Sequence, residues 1–146
     1  MIRRLIWLYP PFLFSGISIR ILSTKPLVYR SSLKCRWWNR NSVGTHFGGS
    51  LFAMSDPFYM LILMDSLGSG YVVWDKSSRI EYLKPGKGRV SAEFSISQER
   101  LEEICREATS GPVHPEFVVE IKEDDGTCLA RITKTLYVRK RRGSKS

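Results

Sequence analysis

A chain of 146 residues suits one domain, and with 42% hydrophobic and 25% charged residues it is neither disordered nor collagen-like. Three cysteines (Cys35, Cys105, Cys128) without a C-x-x-C pair, beside two histidines, argue against a disulfide framework or a metal site and for a reducing cytoplasm. The net charge of +9 is lopsided, with eight Lys/Arg and no acid before Asp56 and five more bases between Arg139 and Lys145, so an anionic partner is expected: nucleic acid, acidic lipid or a polyphosphate such as coenzyme A.

Met1 to Tyr9 begins like a secretory signal, charged and then apolar, but Pro10 and Pro11 interrupt it and no A-x-A-like site follows Phe14. Leu5 to Phe14 is far short of the ~20 residues of a membrane span, so a short helix docked on the body is expected. Ile17, Ile19 and Ile21 alternate as in a half-buried strand. A second strand is expected from Leu27 to Trp38, with Trp37 and Trp38 in core or dimer packing rather than stacked on bases. Gly49 to Leu67 is apolar all round and reads as a long helix buried on nearly all sides. Tyr71 to Leu83 reads as a long strand, Lys84-Pro85-Gly86-Lys87-Gly88-Arg89 as a turn, and Val90, Ala92, Phe94 and Ile96 as the inward face of the next strand. Ser97 can cap a helix through Thr109 whose stripe is Leu101, Ile104, Cys105 and Ala108, stopped by Gly111 and Pro112. Phe117 to Lys122 and Cys128 to Val138 form a hairpin through Asp124-Asp125-Gly126. One domain is expected over residues 1–138, followed by a basic, disordered tail over 139–146. A long buried helix amid five or six antiparallel strands is a sheet wrapped around a helix, an α+β arrangement that points to the hotdog fold.

Asp56 is the only charged residue between His46 and Asp65, and it sits inside the apolar helix. A carboxylate there is costly unless it is hydrogen-bonded or faces a wet cleft, and desolvation favours the protonated form, the usual tuning of a general base. Pro57 follows at once and should kink or open the helix beside it. Either Asp56 mends the freed backbone groups or it is an acid–base residue in a cleft. Upstream, Asn41-Ser-Val-Gly-Thr-His46-Phe47-Gly48-Gly49-Ser50 is a polar, glycine-rich approach to the helix start. Backbone amides at such a start can meet an anion or an incipient oxyanion, and the plain alternative is turn geometry.

These residues carry a resemblance. Acyl-CoA thioesterases of the hotdog superfamily, notably the phenylacetate-pathway type, begin their central helix with Asn, a short spacer, His-Gly-Gly, and an Asp nine positions after that His. Here Phe47-Gly48-Gly49 is followed by Asp56 at the same spacing, with Asn41 upstream. The run from Trp37 through Met60, with Val73-Trp74-Asp75-Lys76 and Leu136-Tyr137-Val138-Arg139, is similar to a narrower group of bacterial hotdog proteins related to the C-terminal domain of YiiD. The resemblance implies that Asp56 activates water or attacks the thioester, that an amide at Gly48 or Gly49 holds the oxyanion, and that Asn41 helps place substrate or water. His46 and Phe47 would orient substrate; Phe47 stands where those enzymes carry His. In a CoA-ester reading Lys84, Lys87 and Arg89 would meet the nucleotide phosphates. The expected protein is an acyl-CoA thioesterase, a homodimer or larger, with no cofactor beyond the CoA of its substrate. Nucleic acid and membrane are not the expected partners. The runner-up is a non-catalytic acyl-CoA-binding or regulatory hotdog protein.

Overall fold

A computed structural model of the chain describes residues 6–141 and 143. The alternating segments pair into a single antiparallel sheet. Its strands are β1 (Ile17–Thr24), β2 (Leu27–Lys34), β3 (Tyr71–Tyr82), β4 (Arg89–Phe94), β5 (Glu116–Glu123) and β6 (Cys128–Lys140), in spatial order β1-β2-β4-β5-β6-β3. A 3-10 turn (Ile6–Leu8) leads into α1 (Pro10–Ser15), whose Phe12 is buried, so the N-terminal segment docks as expected. The interior is filled by α2 (Gly48–Ala53) and α3 (Phe58–Leu67). The last helix, α4 (Gln98–Glu107), starts where expected: the Ser97 hydroxyl accepts the Arg100 amide at 3.2 Å. Among the described residues no helix is long and apolar enough to cross a membrane.

Period-2 alternation in β4 puts Val90, Ala92 and Phe94 on the covered face, and α3 lays Phe58, Tyr59, Ile62 and Leu63 against it. Aromatic rings join the layers: Phe58 stacks on Phe94 at 4.6 Å, Tyr59 on Phe117 at 4.7 Å, and Phe12 packs on Phe58 at 6.2 Å.

Three expectations change. The central helix is not one helix but two, broken over residues 54–57, and α3 is not enclosed all round: Met64 is exposed, and Met60 and Leu61 are half-buried. The second strand stops at Lys34, because Asn39 turns the chain out of the sheet. Its Oδ1 accepts the Arg36 amide at 2.7 Å, while Nδ2 donates to the Lys34 and Ser15 carbonyls at 3.0 and 3.1 Å. Trp37 is consequently 78% exposed in the single chain, and Trp38 is exposed beside it. At the other end β6 continues through Arg139 and Lys140, paired with Val72 and Tyr71; most of the basic run beyond lies outside the described residues, as do residues 1–5.

Phe94 is fully buried between Phe58 and Tyr59. Phe94→Ala should therefore lower stability by about 3–5 kcal/mol, read as a reduced midpoint in urea with an unchanged slope.

Candidate functional site

Proline at position 57 has no amide hydrogen for the carbonyl of Ala53, and that carbonyl takes the Asp56 amide instead, at 3.2 Å. The break is closed by hydroxyls. Ser55 Oγ donates to the Phe52 carbonyl at 2.7 Å, and Ser31 Oγ, from an inward position of β2, donates to the Met54 carbonyl at 2.6 Å. These serines, not Asp56, mend the opened helix. The Asp56 carboxylate is left pointing out of the break with 54% of its side chain exposed, so it is not enclosed by the apolar helix around it.

Its partner is a residue that sequence reasoning missed. Lys134 Nζ lies 2.5 Å from Asp56 Oδ1 and 3.1 Å from Asp75 Oδ1, with 1% of the lysine side chain exposed. The signal was present in the strand pattern: Ala130, Ile132, Leu136 and Val138 are the core-facing residues of β6, and Lys134 occupies the same face. Asp75 stands at the β-bulge of β3, where the register slips between Asp75 and Ser77. Burial holds its carboxyl above the ordinary carboxylate range; the attraction of Lys134 works against that rise and the charge of Asp56 adds to it.

Asp56 opens onto an apolar groove of about 760 Å³. One wall is the N-terminal segment (Leu8, Tyr9, Phe12) and the other is Ala53 with Met60 and Leu61. The open face of α3 thus lines an apolar groove whose lining includes one carboxylate, that of Asp56.

The glycine-rich approach forms a second cavity of about 530 Å³, into which Asn41, His46, Phe47, Gly48, Gly49 and Lys84 all project or contribute. Within it Gly48 and Gly49 head the first turn of α2, where helix geometry leaves amides without intrahelical acceptors. Both glycines lie under aromatic side chains: a Cβ at Gly48 would stand 2.8 Å from Tyr82 Oη and one at Gly49 would meet the Phe47 ring, so a larger residue would have to displace those exposed rings. Asn41 is engaged inside its own loop, Oδ1 accepting the Thr45 and Val43 amides at 3.0 and 3.2 Å and Nδ2 donating to Thr45 Oγ1 at 2.9 Å. His46 is only 4% exposed; its Nε2 donates to the Gly88 carbonyl at 2.7 Å and its amide to the Gly86 carbonyl at 3.0 Å. It fastens the Lys84–Arg89 turn to the loop, while the neighbouring Phe47 ring is exposed. Of the three bases on that turn only Lys84 lines the cavity; Lys87 and Arg89 are exposed outside it. Within one chain, then, Asp56 and the Gly48–Gly49 amides line different cavities.

Residues 2–138 match the family model described as Domain of unknown function (DUF4442). No curated protein matches the chain. Among solved structures, PA5026 from Pseudomonas aeruginosa, described as a protein of unknown function and probable thioesterase, superposes with a TM-score of 0.83 at 20% identity, over 95% of this chain and 93% of its own. A mutant of thioesterase PA1618 from the same species gives 0.68 at 12% identity, over 94% and 91%. Thioesterase HI1161 from Haemophilus influenzae gives 0.66 at 14%, over 93% and 88%. At such identities the likeness is one of fold, and the fold is the hotdog fold.

Asp75 yields a pH prediction. A carboxyl raised in the folded state keeps its proton where the unfolded chain has released it, so stability falls as pH rises from the ordinary value of 3.8 through the raised one. Asp75→Asn removes that loss. The melting temperature of the variant minus that of the wild type should increase with pH across this window and level off above it.

Proposed function

The chain belongs to the DUF4442 family, and from that premise we propose that it is an acyl-CoA thioesterase whose general base is Asp56. The observation that carries the reading is the half-exposed Asp56 carboxylate in the lining of an apolar groove. In this reading the acyl chain lies in the groove with its thioester carbonyl at that carboxylate. That solved structures of this fold include proteins called thioesterases supports the same class of reaction.

In the proposed step, water attacks the thioester carbonyl carbon as Asp56 takes its proton. An amide of Gly48 or Gly49 holds the oxyanion. The carbon–sulfur bond then breaks, and the thiolate recovers the proton from Asp56, giving a carboxylic acid and a free thiol. Water is the only co-reactant. Because the two halves of this machinery line different cavities of one chain, the proposal places Asp56 of one protomer beside Gly48 and Gly49 of a second. The open face of α3 and the unpaired edge of β3, with Trp74 exposed on it, are the surfaces such a dimer would cover. In this reading Lys84, which lines the glycine cavity, meets a CoA phosphate. The narrower kinship with the YiiD-related group rests on the motif alone.

One observation favours the runner-up, a non-catalytic acyl-CoA-binding protein: Asn41 has both ends of its amide engaged, and Phe47 crowds Gly49 where the enzymes carry His. A single pair of proteins decides between them. With acyl-CoAs of graded chain length, the wild type should release free thiol, and Asp56→Asn should lower turnover by roughly 100-fold or more while acyl-CoA binding persists. A wild type that binds acyl-CoA without releasing thiol establishes the runner-up. Sedimentation at micromolar concentration should show a dimer or larger, and a monodisperse monomer would remove the composite cleft.

A further inference from the structure

Lys134 sits on the core face of β6 between Ile132 and Leu136. A buried ammonium persists only where charge and hydrogen bonding replace its water. Two carboxylates do so here, and they come from different elements: Asp56 from the break between α2 and α3, and Asp75 from the bulge of β3. One positive charge is shared between two negative ones. The two acids are not equivalent. Asp56 lines the groove and is half exposed, whereas Asp75 has 26% of its side chain exposed and does not line the groove.

We propose that Lys134 and Asp75 are positioning residues for Asp56: the buried ammonium fixes where the Asp56 carboxylate points, and Asp75, on the other side of the same ammonium, holds it in place. This rests on the reading of Asp56 as the general base. Lys134 engages Oδ1 of Asp56, so the second oxygen is the one available to the groove. Among the described residues, the charged or titratable groups facing Asp56 are Lys134 from β6, Asp75 from β3 and, across the groove, Tyr9 ahead of α1; α2 and α3 add none to the groove lining. The coupling is visible in Asp75 itself, which Lys134 pulls toward its charged form and Asp56 pushes away from it, on top of the larger effect of burial.

A strut and a positioning residue differ in what their loss reaches. A lysine that only pins the helix break to the sheet costs stability when removed, whereas one that aims the Asp56 carboxylate lowers kcat with little change in KM, and a second cation at the same place restores part of the rate.

The test uses the full chain as wild type, Asp75→Asn, Lys134→Met and Lys134→Arg. On the acyl-CoA that the wild type hydrolyses fastest, Lys134→Met should lose on the order of 100-fold in kcat through misplacement of the carboxylate, with KM little changed, and Lys134→Arg should recover part of it. Asp75→Asn should lose a smaller part of kcat. A second readout needs no turnover. In carboxyl-carbon NMR titrations, the Asp75 midpoint should fall in Asp56→Asn and rise in Lys134→Met. If Lys134→Met does not fold, Lys134→Arg and Asp75→Asn carry the kinetic readout and Asp56→Asn the spectroscopic one. A folded Lys134→Met, or Lys134→Arg with Asp75→Asn in its place, that keeps the wild-type kcat, or an Asp75 midpoint indifferent to Asp56→Asn, overturns the inference. A wild type that hydrolyses no acyl-CoA overturns the hydrolase reading instead, and the NMR displacements then support or overturn the coupling by themselves.

Discussion

The carboxylate site of this hotdog chain follows from the missing amide hydrogen at Pro57. An apolar segment from Gly48 to Leu67 could run as one buried helix; with proline in its middle, the carbonyl of Ala53 has no donor four residues on. The chain answers by ending α2, turning, and restarting as α3, with the Leu61 amide reaching the Pro57 carbonyl at 3.0 Å in the new first turn. A break inside a core exposes polar backbone to apolar surroundings, which is tolerated only if each group finds a partner. Ser31 and Ser55 supply those partners. Ser31 is therefore a polar residue at an inward strand position for the same reason that the helix stops.

Once the backbone of the break is satisfied by hydroxyls, Asp56 is released from any structural task there. Its carboxylate leaves the helix line on the side where β6 brings Lys134 to the inner face of the sheet. The lysine would be intolerable at that position without it, and the second acid at the β3 bulge completes its neutralisation. Helix break, buried cation and strand bulge are thus three parts of one electrostatic arrangement, contributed by elements far apart in the chain.

The glycine-rich loop obeys a different constraint, that of close approach. His46 draws the Lys84–Arg89 turn onto the loop through two carbonyls, and Glu123 latches the same turn from the other side by accepting the Gly88 amide at 2.9 Å. The Tyr82 and Phe47 side chains then lie over Gly48 and Gly49, where a larger residue would have to push them aside. His46 is the clamp that joins loop and turn around the cavity, and the Phe47 ring beside it is exposed.

Local chemistry by itself determined the elements. Period-2 alternation placed β1 and β4, Ser97 and the i, i+3, i+4, i+7 stripe placed α4, Asp124-Asp125-Gly126 placed the hairpin turn between β5 and β6, and the apolar run with Pro57 placed a helix opened beside one carboxylate. These signals are legible because each arises from neighbours within a few residues: a proline's missing hydrogen, a cap, a stripe. Tertiary structure alone decided what each site residue does. That a hydroxyl of β2 helps mend the break, that Lys134 and Asp75 meet Asp56 and that His46 faces Gly88 all depend on pairings between segments well apart in the chain. Only the order of strands in the folded sheet brings those segments together.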